Sequence, residues 1–164
     1  MINSVKVTNH LGESLTIEMR SPEKSGFFIR RIEGLGPTTS NVNMTEVLSA
    51  DGGFFNSTRS ASRNLVLNLG FLQWYPLLTI EQLRQQTYRF FPTKRLISVE
   101  IETDTRTGVV EGYVESNEPD IFSKEEGTII SIICPSAYFL GSDPIQTFFS
   151  GTQALFEFPF ENPS

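Results

Sequence analysis

Carboxylates are the side chains in this sequence whose spacing comes nearest to a catalytic arrangement. Glu100 and Glu102 share one face of a predicted strand, and Glu111 and Glu115 share a face of the next, so the four would lie across a hairpin from one another. Paired carboxyls can run glycoside hydrolysis, one as acid and the other as base or nucleophile. Alternating carboxylates are also what a solvated hairpin face produces, and no further acid, base or pocket residue accompanies these four; the sequence therefore assigns no catalytic residue. His10, the one histidine, falls in a predicted surface turn. Cys134, the one cysteine, ends the run GTIISIIC and has no basic neighbour in sequence to activate it, so it reads as an inert core thiol. Metal ligation would have to rest on oxygen donors, and Glu115, Glu118 and Asp120 lack the spacing of a calcium loop. Gly34-Leu35-Gly36-Pro37 is followed by no Lys-Ser pair or helix start of a phosphate-cradling loop, and no cofactor is predicted. Trp74 and Tyr75 offer a stacking platform for a sugar, or else core or interface packing ahead of Pro76.

The chain that must position these groups has 164 residues, enough for one domain or one domain with a short appendage. A lone cysteine makes no intramolecular disulfide, which suits a reducing compartment. Neither a long apolar run nor a charged leader with an apolar core is present. The formal charge of −6 argues against an electrostatic grip on nucleic acid, which needs clustered Lys and Arg.

Period-two patterning dominates. Leu65, Leu67, Leu69 and Phe71 form one apolar face; Ile97, Val99 and Ile101 form another, followed by Val110, Gly112 and Val114 after a turn over Asp104, Thr105 and Gly108. Residues 129–134 are apolar on both faces apart from Ser131, the pattern of a central or covered strand. Earlier strands are predicted at 4–9, 15–20 and 27–32. One helix begins at Thr79, whose capping box is completed by Gln82, and stops before Pro92. It turns Ile80, Leu83, Thr87, Phe90 and Phe91 to one side and leaves Gln82, Arg84, Gln85 and Arg89 for solvent or a neighbour. Many strands with one helix predict a mainly β domain, a β-sandwich or half-closed barrel with an extended arm or hairpin.

Two segments depart from this pattern. Residues 34–62 mix Gly, Pro, Ser, Thr and Asn with Val42, Met44, Val47, Leu48, Phe54 and Phe55, the composition of an excursion that docks on a partner rather than of a self-sufficient strand pair. Val42, Met44, Phe54 and Phe55 are accordingly predicted as subunit-interface residues. After Phe139 the sequence becomes dense in phenylalanine (Phe148, Phe149, Phe156, Phe158, Phe160), so residues 140–164 either cover a groove or open a further domain.

The order and spacing of several motifs resemble the distal tail proteins of long-tailed bacteriophages: IEGLGP at 32–37, DGGFFNSTRSASRNLVLNLGF at 51–71, FFPTKR at 90–95, ETDTRTG at 102–108, and above all GYVESNEPDIFSKEEGTIISIICPSAYF at 112–139. The resemblance covers about residues 2–139. It implies a tail-tube-like, ring-forming N-terminal domain over 1–139 and an extension over 140–164 that resembles the start of the galectin-like domain of longer relatives. By the same resemblance the protein is a virion structural component made in the bacterial host cytoplasm, not an enzyme. Six copies would form a ring at the distal end of the tail tube, meeting the tube protein, a tail-tip hub protein and in some relatives a receptor-binding protein, while DNA passes without specific binding. Glu100, Glu102, Glu111 and Glu115 are then candidates for the lumen wall, with an outer wall equally open.

Overall fold

The computed structural model describes residues 1–46, 51–73, 78–121 and 125–141. Strands β1 (Ile2–Thr8), β2 (Ser14–Glu18), β3 (Phe27–Glu33), β4 (Ser40–Glu46), β5 (Gly53–Ser60), β6 (Arg63–Phe71), β7 (Leu96–Thr103), β8 (Thr107–Asp120), β9 (Gly127–Cys134) and β10 (Leu140–Gly141) surround helix α1 (Ile80–Phe90). All but β4 and β5 form one antiparallel sheet in the order β2-β1-β7-β8-β9-β6-β3, with β10 paired to β8. The sheet curls until its edge strands β2 and β3 touch without pairing. The result is mainly β and sandwich-like, and no barrel closes.

The alternation legible in the sequence sets which face turns inward. Val5, Val7, Ile17, Leu65, Leu67, Leu69, Val99, Ile130 and Ile132 have no exposed surface. Strand β9 lies between β8 and β6, the central position its composition predicts. Cys134 at its end is fully buried, and burial pushes its thiol pKa up against a smaller pull from Arg63. Gly108, expected in a turn, instead sits within β8 opposite Ile101, and the turn is the shorter Asp104–Arg106 connection closed by Thr103.

The register gives the curled sheet two distinct ends. At one, α1 lies across the opening. Its N-terminus carries the predicted capping box, with Thr79 Oγ1 accepting from the Gln82 amide at 3.3 Å and Gln82 Oε1 accepting from the Thr79 amide at 3.0 Å. Leu83 and Thr87 are fully buried, and Phe91 just past the helix is 1% exposed. Arg84, expected to face solvent or a neighbour, is mostly covered and stands 3.8 Å from Glu126. The C-terminal turn is tied to the β1–β2 turn through buried Asn9. Its Nδ2 donates to the Arg89 carbonyl at 3.2 Å and to Glu13 Oε2 at 3.0 Å, while its Oδ1 accepts the Leu11 and Glu13 amides. His10 lies in that turn, exposed.

Two outcomes follow from this end of the molecule. Leu83→Ala is expected to cost about 2–5 kcal/mol in urea unfolding, whereas the exposed Gln85→Ala should stay within about 0.5 kcal/mol; equal midpoints would mean that the buried face is misread. The Arg89 guanidinium, with help from Asn9, lowers the Glu13 pKa from 4.5 to about 2. A folded-state pKa below the unfolded one gives stability that is present above pH 4.5 and lost as pH falls toward 2. Protection of the α1 C-terminal amides, taken relative to the intrinsic exchange rate at each pH, should therefore fall in that interval, and Glu13→Gln should remove that fall.

Candidate functional site

The opposite end of the sheet gathers what the helix end lacks: an arm, an unusual buried charge and an apolar cleft. Strands β3 and β6 pair directly, with Glu33 opposite Val66, so residues 34–62 are an enlarged connection between neighbouring strands. Within it β4 and β5 pair with each other as a separate two-stranded sheet. The excursion, expected as an extended arm or hairpin and not as a self-sufficient strand pair, is thus a two-stranded ribbon with no described buried residue along β4 or β5. Alternation of Val and Met with polar residues in β4 supports the pairing, which the Gly- and Ser-rich composition had masked.

All four predicted interface residues are on this hairpin and strongly exposed, Val42 at 55%, Met44 at 58%, Phe54 at 64% and Phe55 at 63%. Their arrangement depends on a β-bulge. Val42 faces Thr58 and Asn43 faces Ser57, but Met44 faces Phe55, so Asn56 is the extra residue. The shift brings Phe55 onto the face of Val42 and Met44, with Glu46 following on the same side. The other face is polar, with Asn43 Nδ2 donating to Ser57 Oγ at 3.1 Å and Asn56 Nδ2 to Thr45 Oγ1 at 2.6 Å, and Phe54 stands there alone. Val47 and Leu48 lie outside the described residues, as do Trp74, Tyr75 and residues 142–164.

Arg63, which sequence reasoning did not single out, anchors the root of the arm. It is 8% exposed. Its Nη1 donates to the carbonyls of Gly34 and, at 2.8 Å, Gly36; its Nε and Nη2 donate to the Ala137 carbonyl at 3.1 and 2.8 Å. The guanidinium carbon stands 4.7 Å from the centre of the Phe139 ring. One planar cation thus holds the chain where it enters the arm and where it leaves β9. Gly34 is required there: its φ is +87°, and a Cβ would collide with the Asn64 carbonyl. Tyr138 reinforces the link through its hydroxyl, 3.2 Å from Ser60 Oγ in the arm. The signal for Arg63 was a charged residue two positions ahead of Leu65, in line with the apolar face of its strand.

Beside this root is a cleft of about 260 Å³ lined by Ile2, Leu35, Ile101, Arg106, Gly108 and Phe139 among others. Leu35 and Phe139 are the residues adjoining the Arg63 contacts, so the clamp shapes two of its walls.

The carboxylates come together on the outward face of the sheet but not as a pair poised for chemistry. Ser4 Oγ donates to Glu102 Oε2 at 2.7 Å, Lys6 lies 3.8 Å from Glu100, and Ser131 Oγ donates to Glu115 Oε2 at 2.9 Å. Glu111 is opposite Ser98, not opposite Glu100 or Glu102. The same face carries an apolar row unnoticed in the sequence: Leu96 faces Tyr113, which faces Ile133. Among the described residues, no group of three or more His, Cys, Asp and Glu is arranged to hold a metal ion, and no helix is long and apolar enough to cross a membrane.

Comparison with known proteins places this fold. No family model and no curated protein matches the sequence. Among solved structures, the Dit protein of phage SPP1, described as a paradigm of the hub adsorption apparatus in phages infecting Gram-positive bacteria, matches with a TM-score of 0.56 at 11% identity, over 81% of this chain and 50% of that one. A chain of the phage p2 baseplate in its activated conformation with Ca matches with a TM-score of 0.64 at 12% identity, over 84% of this chain and 46% of that one. The same baseplate with Sr gives 0.62 at 12%, over 82% and 45%. The likeness is one of fold, and this chain spans about half the length of those chains. It agrees with the family that the motifs of residues 32–139 resemble.

The clamp itself is open to test. Arg63→Lys keeps the charge but loses the fork that reaches three carbonyls, and is expected to cost on the order of 3 kcal/mol, with amide exchange at residues 35–39 and 137–139 rising more than in β1. An unchanged unfolding midpoint would show that the clamp contributes nothing.

Proposed function

We propose that this chain is a structural component of a phage tail tip or baseplate, forming a six-membered ring that joins the distal end of the tail tube to the tip and keeps a channel open for DNA. The observation that carries the reading is the exposed apolar arm on a fold shared with phage hub and baseplate proteins. A two-stranded ribbon with Val42, Met44 and Phe55 on one face gives up the water-exposed apolar area only against another surface. A head-to-tail contact, arm of one copy to body of the next, closes into a ring when the rotation allows it.

In this reading residues 1–139 make the ring and residues 140–164 lead toward a further domain or dock on the assembly. The tube protein and a tip hub protein are the axial partners, a receptor-binding protein is a peripheral one, and the virion tail is the location. The outward sheet face with Glu100, Glu102, Glu111 and Glu115 suits a channel wall, because fixed negative charge denies phosphates a resting place. The role is passive and needs no catalytic residue or cofactor.

Deleting residues 41–56 is expected to leave a folded chain that no longer forms rings, read by light scattering and by electron microscopy of the protein mixed with its tail-tube partner. Closed hexamers from the deletion variant would remove the arm from the account. An intact chain that stays monomeric both alone and with the tube protein would sink the ring itself.

A further inference from the structure

The arm has one exposed apolar face, and the same molecule carries one apolar cleft at the arm's own root. Strand β4 runs seven residues from Ser40 to Glu46, which at about 3.3 Å per residue puts Met44 and its partner Phe55 roughly 13 Å, and Glu46 roughly 20 Å, from the start of the strand. A straight hairpin therefore cannot deliver its tip to the cleft beside which it starts. The two surfaces are nevertheless matched. The arm offers Val42, Met44 and Phe55 in line, with Glu46 beyond them and Asp51 nearby at the tip, all exposed. The cleft offers Ile2, Leu35, Ile101 and Phe139 with the exposed cation Arg106 as its charged lining residue, and its volume of about 260 Å³ has room for an aromatic side chain.

We propose that the arm of one copy seats Met44 and Phe55 in the cleft formed by Ile2, Leu35, Ile101 and Phe139 of a second copy, with Glu46 pairing with Arg106 at the rim. The inference rests on the ring reading and names where on the neighbour the arm binds. It is a heterologous contact, knob to hole, so each subunit gives one and receives one, and the array extends beyond a dimer and closes where the rotation allows. The apolar anchor supplies the affinity, and the charge pair at the edge fixes orientation and discriminates against wrong registers. Arg63 serves both halves. It holds Gly34 and Gly36 where the arm leaves the body, and it holds Ala137 and Phe139 where the cleft receives the neighbour's arm. The giving and receiving surfaces are thereby preorganised by one side chain.

A charge swap in the full chain tests the contact. Arg106 contributes its backbone, not its side chain, to the Thr103 hydrogen bonds that close its turn, so the Arg106→Glu variant is expected to fold. Arg106→Glu and Glu46→Arg should each raise the concentration needed for assembly roughly tenfold, and the two together should restore it. In parallel, a photo-crosslinking amino acid at Phe55, in a mixture of isotopically distinct chains, should capture residues 101–108 or 139 of the other chain. Several outcomes overturn the inference: rings that form normally with Arg106→Glu alone, a double variant no better than the singles, or a crosslink to a different surface. Capture of residues 142–164 by a crosslinker at Ile2 would assign the cleft to the chain's own C-terminal segment instead. A chain that never assembles, with or without the tube protein, removes the ring reading and this contact together, whereas rings insensitive to the swap remove only the contact.

Discussion

A single guanidinium, that of Arg63, reconciles two demands that a curled sheet cannot otherwise meet at one end. Between β3 and β6 the chain must leave the sheet for a long excursion, and after β9 it must turn back to add β10 to β8; both detours expose carbonyls that no strand ladder satisfies. Arg carries five donors in a rigid plane and no acceptor, so it suits several such carbonyls at once, where a Lys would supply a mobile point charge. Its position opening β6, opposite Cys134, puts that plane between Gly34, Gly36 and Ala137. The flat face left over meets the Phe139 ring. Desolvating the cation is costly in isolation, and the carbonyl dipoles and the ring quadrupole together offset it. The strand RNLVLNLGF thus begins with a structural charge, and its apolar alternation takes over two residues later at Leu65.

Much of the fold was legible because its signals are local. The period-two faces of β6, β7 and β8, the capping box at Thr79 and the stop at Pro92 each need only a few neighbouring residues to read. Val42, Met44, Phe54 and Phe55 stood out for the same reason, as apolar side chains in a Gly- and Ser-rich stretch, and the structure leaves all four exposed. What escaped was set by pairing between distant parts of the chain. Arg63 gains its role from residues 34, 36, 137 and 139, and nothing in its immediate sequence announces them. The row of Leu96, Tyr113 and Ile133 exists only through the registers of β7, β8 and β9. The bulge at Asn56 that moves Phe55 onto the face of Met44 is likewise a property of the pair, not of either strand.

The outward face of the sheet shows how register edits a sequence pattern. Four glutamates at alternating positions suggested mutual opposition, yet cross-strand neighbours turn out to be Ser4, Lys6 and Ser98. Like charges directly opposite one another destabilise a sheet, and this register places polar or basic residues between them. The net acidity of the face survives, spread over several strands rather than concentrated in a site. That distribution suits a wall past which a polyanion slides better than it suits a pocket that must hold one substrate.

Stability is divided unevenly between the body and the arm, and that division bears on assembly. The curled sheet buries a continuous core closed at one end by α1. The arm has two strands and no described buried residue along β4 or β5, and ribbons of that size are marginal in water. Its root is fixed by Arg63 and by the Ser60–Tyr138 hydroxyl pair, whereas Met44 and Phe55 farther out are exposed. A ribbon held at its root loses less conformational entropy on docking than a free one, which favours the proposed contact. In the proposed ring, such a division would separate folding of the body, which has its own core, from closure of the array through the arm.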